Sequence, residues 1–467
     1  MRDSIKVSSI VLCSFLLFCC NTDTSQPIHY DDTTIAAEEN AGGEGTVYDQ
    51  SVNAFSFPYR TLSSEQRSDF FIGNSLFNQN WVQAPASTSL RDGVGPLFNA
   101  RSCSGCHFKH GRGTPPKNGE PMIFMLLRLS IPGTSDDGSP LPEPHYGGQL
   151  QNFAVIGVKP EGKPIIEYQE IPGKFEDGEY YSLRKPIYIL NDLAYGNMQG
   201  NVMVSPRVAP QMIGMGLLEA INETDILNNA DEFDNNNDGI SGKANRVYDR
   251  ETQSLRMGRF GWKANQPTVK QQVAGAFNGD LGITSSVFPM HGHGDNQKEL
   301  DKLPHGGTPE ISDMELEKVI LYSAVLAVPA ARSVANMQQG KKIFMSIGCA
   351  SCHRPSYTTG SYDKISVLSH QKIYPYTDLL LHDMGDELAD NRPDFAATGT
   401  EWRTPPLWGI GLIPVVNGHS NYLHDGRARS LQEAILWHGG EGEAAREKYK
   451  KLSKKEREEL LKFLNSL

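Results

Sequence analysis

Two pentapeptides constrain this chain more than any other feature: Cys103-Ser-Gly-Cys106-His107 and Cys349-Ala-Ser-Cys352-His353. In each, two thiols and an imidazole are close enough in sequence to converge on one bound group. The spacing predicts c-type haem attachment, with thioethers from the cysteines to the two vinyl groups and the histidine as proximal iron ligand. A thioredoxin-like dithiol would need a βαβ setting and a nucleophilic first cysteine. A structural zinc would use both pairs together as Cys₄. Neither alternative calls for the trailing histidine. Of the seven cysteines, the other three are Cys13, Cys19 and Cys20, so none is left for a structural disulfide.

At 467 residues the chain exceeds the usual domain length, and at least two domains are expected. Hydrophobic residues make up 38%, enough for a sizeable core, while 45 glycines and 28 prolines imply long connections. The net charge of −11 excludes nucleic acid as the main partner, because phosphate binding needs a basic face. Arg2 and Lys6 precede a mostly apolar stretch from Val7 to Phe18, too short to span a bilayer and suited to an export signal. The stretch ends at Cys19-Cys20, which resembles a lipobox with Cys20 as the lipidated residue. Residues 1–20 therefore read as a lipoprotein signal and 21–58 as a flexible tether. The expectation is an exported lipoprotein facing the periplasm or cell surface, touching membrane through its anchor alone.

The remainder divides at about residue 335. Gly73 and Phe77 precede the first pentapeptide, and Gly340 and Phe344 precede the second, which suggests a diverged duplication. Between them, 122–129, 153–157, 164–168 and 186–190 read as short strands, 211–220 as helical, and 311–328 as an amphipathic helix. From Ser453, a capping box with Glu456 opens a closing helix whose apolar face is Leu460, Phe463, Leu464 and Leu467. The expected fold is mainly α. It has an N-terminal haem domain over 59–335, with a long insertion of short β-strands, and a C-terminal cytochrome c-like domain over 336–467. Asp234, Asn236 and Asp238 have the alternate spacing of a calcium loop, but Asn245 stands where a bidentate Glu is needed, so a plain polar turn is an equal reading.

Several longer motifs resemble the di-haem oxidoreductase family: GPLFNARSC at 95–103, GRG at 111–113, SPRVAP at 205–210, YTDLLLHDMG at 376–385, EWRTPPLW at 401–408, HDGRAR at 424–429 and EAILWHGGE at 433–441. The resemblance covers about residues 60–467. The family is in turn similar to bacterial di-haem cytochrome c peroxidases and to the di-haem enzyme that matures methylamine dehydrogenase. It implies an N-terminal peroxidatic haem, where hydrogen peroxide or another small oxidant is reduced. It also implies a C-terminal electron-transfer haem fed by a donor such as a small cytochrome or a quinol-linked protein. The family's register puts the distal ligand of the second haem at His438, ahead of Met384, His382, His419 and His424. Relatives use a distal glutamate at the first haem, and Glu219 is the candidate catalytic acid/base; His110 and His145 are candidate removable ligands. Arg403, Arg427 and Arg429 are candidate propionate partners. Two other readings remain: a non-enzymatic electron-transfer cytochrome, and an oxidase that modifies a partner protein.

Overall fold

A computed structural model describes residues 37–88, 91–332 and 337–467. The signal segment and Cys20 lie outside the described residues. Among those described, no helix is long and apolar enough to cross a membrane.

The chain is not mainly α: 30% is helical and 18% is strand. The strands form six two-stranded antiparallel sheets among the described residues. They are not confined to an insertion, since Tyr357–Thr358 pairs with Lys372–Ile373, and Leu381–Asp383 with Glu401–Arg403, in the C-terminal part. The physical reason is visible in the composition. Glycine and proline interrupt the helical patterns, and the freed backbone closes its hydrogen bonds in short two-stranded pairs instead, several of them between distant segments. Two complete cytochrome c folds do not follow from this architecture.

One helix-packing device nonetheless occurs twice, once before each pentapeptide. Helix α1 (Ser64–Asn78) is held by a capping box at Ser63 and Gln66. It crosses α3 (Asp313–Ala324), itself capped by Ser312 and Glu315. At the crossing, a Cβ on Gly73 would stand 2.2 Å from the Lys318 carbonyl oxygen. Helix α4 (Gln338–Ile347) crosses α5 (Lys454–Ser466) in the same way, where a Cβ on Gly340 would stand 2.2 Å from the Glu459 carbonyl oxygen. Only glycine lets the two backbones approach so closely. One turn on, Phe77 packs 6.3 Å from the His107 ring, and Phe344 packs 6.4 Å from the His353 ring. Leu460, Phe463, Leu464 and Leu467 are all buried, as the apolar spacing requires.

The two halves are interleaved. Strand β1 (Met125–Ser130) pairs with β4 (Met203–Val208), placing Leu126 opposite Arg207. The ten-residue strands β2 (Ile165–Lys174) and β3 (Tyr180–Ile189) form a hairpin that reaches onto the C-terminal part. There Arg184 donates to the Gly426 carbonyl at 3.1 Å, Tyr188 donates to Asp425 at 2.7 Å, and Arg457 bridges Asp177 and Glu179 at 2.8 and 2.6 Å. Part of the expected tether is also packed. Ala54 and Phe55 are fully buried, and Glu38 forms a buried ion pair with Lys341. The segment expected to be helical over 211–220 is helical only at Met215–Glu219.

Candidate haem centres

Cys103 to Cys106 form a single helical turn ending at His107. These residues line a cavity of about 290 Å³. Its other walls come from the whole chain: Pro210 and Met212 after β4, Gln272 to Asp280 on helix α2 (Val269–Leu281), and Arg403 and Pro406 from the C-terminal part. His107 Nδ1 lies 2.9 Å from the Pro210 carbonyl oxygen. A carbonyl can only accept, so Nδ1 carries the proton and Nε2 keeps a free lone pair. Burial holds the ring's pKa down at about 4, which keeps it neutral. Burial likewise pushes the Cys103 and Cys106 thiols up to about 12. A neutral, oriented imidazole beside two half-buried thiols is the donor set that haem attachment needs.

The second centre repeats the device. His353 Nδ1 lies 3.0 Å from the Tyr376 carbonyl oxygen, and burial lowers its pKa to about 4. The His438 ring feels the His353 ring electrostatically, and its Nδ1 donates to the Ala434 carbonyl at 2.7 Å, leaving Nε2 without a hydrogen-bond partner among the described residues. Met384 is its neighbour, since both side chains would lie within 3.4 Å of a Cβ on Gly442. The other candidate ligands are engaged. His382 is gripped by Glu441 at Nδ1 (2.6 Å) and Asp378 at Nε2 (2.8 Å). Burial opposes charge on that ring, yet its bonds to Asp378, Cys352 and Glu441 hold its pKa well above the ordinary range. His419 uses both nitrogens on backbone groups of Arg112 and Asn421.

His424 stacks on Trp402 with ring centroids 3.8 Å apart. Burial depresses its pKa from 6.5 to about 4, so it is neutral when folded and protonates on unfolding below about 6.5. Its contribution is therefore complete above about pH 6.5 and lost as pH falls toward 4, on the order of 3 kcal/mol in all. Denaturant melts across that window should show a flatter slope, by about one proton, in His424→Gln.

Glu219 is not brought to the His107 cavity. Its Oε2 accepts the Val269 N–H at 2.5 Å, at the start of α2, and its Oε1 accepts the Tyr362 hydroxyl at 2.9 Å. It ties two segments together. His110 is held by Ser56 and Tyr322, and His145 bonds the Asn197 carbonyl; neither lines the cavity. Among the described residues His107 is the cavity's one histidine and Asp280 its one carboxylate. Arg403 does line it, joined by Arg112, Arg128 and Arg207. Arg427 and Arg429 are instead spent on ion pairs, with Asp425 and with Glu170 and Glu433. Arg112, Arg128 and Arg207 escaped sequence reasoning because nothing in their local pattern distinguishes them from surface charges. The 234–238 loop uses its oxygens internally: Asp234 accepts from Asp238 and Gly239, and Asn236 from Asp238. Asn245 is turned away to the Lys263 and Asp394 carbonyls.

No curated protein and no solved structure matches the chain. The family described as "Di-haem oxidoreductase, putative peroxidase" matches residues 35–467, from just before the described structure begins to the last residue. The chain belongs to that di-haem oxidoreductase family.

Proposed function

We propose that this chain reduces hydrogen peroxide to water at a haem held by Cys103, Cys106 and His107, with electrons entering through a second haem held by Cys349, Cys352 and His353. The supporting observation is the asymmetry of the two centres. The His107 centre opens on a cavity with no second histidine among its described walls, whereas the His353 centre has His438 beside it, its Nε2 without a hydrogen-bond partner among the described residues. An open centre binds a small oxidant; a closed one passes electrons. Bound haem iron supplies the electrons and the Lewis acidity for peroxide reduction. The chain's own part is to fix that group. Pro210 and Tyr376 set the two imidazole tautomers, and Arg403 brings a guanidinium to the same cavity for the macrocycle's carboxylates. The reading includes export as a lipoprotein anchored at Cys20, with a small cytochrome or a quinol-linked protein as electron donor.

Optical and EPR spectra of the purified oxidised and half-reduced protein test this reading. The expected result is one high-spin and one low-spin haem, both retained in intact-mass spectra after acid–acetone extraction. Two low-spin haems with no response to peroxide would favour the electron-carrier reading instead.

A further inference from the structure

We propose that Asp280 and Arg128 form the proton-transfer pair of the His107 centre; the proposal rests on the peroxidase reading and names the residues that serve it. Asp280 sits near the C-terminal end of α2, the one carboxylate among the described residues lining the cavity. Its Oδ1 accepts from Gln149 Nε2 at 3.0 Å, and its Oδ2 accepts no hydrogen bond among the described residues. It acts electrostatically on both Cys103 and Cys106, so it stands near the attachment edge. Burial raises its pKa, and the attraction of Arg128 works against that rise.

Arg128 lines the same cavity, and its guanidinium makes no hydrogen bond or ion pair among the described residues. A Cβ on Gly279 would stand 3.8 and 3.9 Å from its Nη1 and Nη2, so the guanidinium lies against the turn that carries Asp280. The other three cavity arginines are each held by protein groups: Arg112 by the Asn421 and Leu423 carbonyls, Arg207 by Ser205 and Asp394, and Arg403 by Gly261 and Thr404. An unengaged acid oxygen and an unengaged guanidinium share one cavity, the guanidinium reaching from β1 to the helix turn that carries the acid.

Peroxide reduction consumes one H₂O₂, two electrons and two protons and yields two waters. The electrons come from the reduced carrier protein, and the net protons come from solvent. Asp280 Oδ2 takes the proton from one peroxide oxygen and delivers it to the other. That second oxygen leaves as water when the O–O bond breaks, while Arg128 offsets the negative charge developing on it.

The test uses the full-length holoprotein, with cyanide and fluoride as probes. Hydrogen cyanide must lose a proton as it binds, so Asp280→Asn should slow cyanide association and peroxide turnover each by about 10²-fold. Arg128→Gln should weaken fluoride binding about tenfold, with Arg128→Lys recovering part of the loss. Intact mass checks that both haems are attached in every variant. Should Asp280→Asn fail to fold, fluoride binding by Arg128→Gln still decides the matter. Unchanged cyanide and fluoride binding in these variants, or a loss that appears in Glu219→Gln and not in Asp280→Asn, would overturn the proposal while leaving the peroxidase reading intact. A wild-type protein without haem adducts, or one that binds no cyanide, would overturn both.

Discussion

On the di-haem reading proposed above, replacing His438 with alanine is expected to leave both haems attached and to turn the C-terminal one from low-spin to high-spin. Attachment depends on Cys349, Cys352 and His353, none of which touches the substituted side chain through a bond. What is lost is the strong-field imidazole nitrogen that the Ala434 carbonyl orients by accepting from Nδ1 at 2.7 Å. With one nitrogen donor fewer, that haem's potential rises, by on the order of 0.1 V within the range axial ligation commands. Turnover with an external donor falls because the entry centre no longer matches its partner. Met384→Ala is the discriminating companion, since Met384 shares the space around Gly442 with His438. If His438→Ala stays low-spin while Met384→Ala becomes high-spin and loses a sulfur-to-iron band, the haem is ligated by His353 and Met384. Its potential would then already be high in the wild type.

The parts of this site legible in the sequence are those encoded by short spacing. The two pentapeptides, the Gly73–Phe77 and Gly340–Phe344 pairs, and the Ser453–Glu456 capping box all act within one or two helical turns. The capping box and the two glycine crossings are found where the spacing placed them. The parts that were not legible depend on chain-distant backbone. Pro210, which orients His107, is 103 residues away and contributes a carbonyl that any residue type would carry. Asp280 and Arg128 approach each other only because α2 and β1 both face one cavity. Glu219 is the candidate acid in the sequence because relatives use a distal glutamate and it stands in an otherwise apolar helical segment. Its partners are the start of α2 and the Tyr362 hydroxyl, a structural link. The mainly α expectation failed for a related reason. Two- and three-residue strands such as Leu97–Phe98 or Glu401–Arg403 are too short to show alternation, so only their distant partners reveal them.

The largest effect on stability is expected at Lys263. Its side chain is 0% exposed, and its Nζ lies 2.9 Å from Asp390 Oδ1, which is 1% exposed. The same ammonium donates to the Thr398 carbonyl at 2.7 Å and sits 4.4 Å from the centre of the Trp402 ring. Trp402 carries the His424 stack on β6 (Glu401–Arg403), whose partner β5 (Leu381–Asp383) holds His382. One buried cation thus supports the strand pair standing beside the second centre. Lys263→Met keeps most of the volume but strands the Asp390 carboxylate in a dry site, a change that costs about 3–5 kcal/mol. That is a large share of a typical domain's stability, so the holoprotein should melt at markedly lower temperature. Lys263→Met with Asp390→Leu removes both charges together and should recover most of the loss, because the penalty belongs to the unpaired charge. If the single and double variants lose equal stability, what Lys263 supplies is its contact with Trp402 and Thr398. The ion pair would then contribute little to holding the C-terminal strand pair in place.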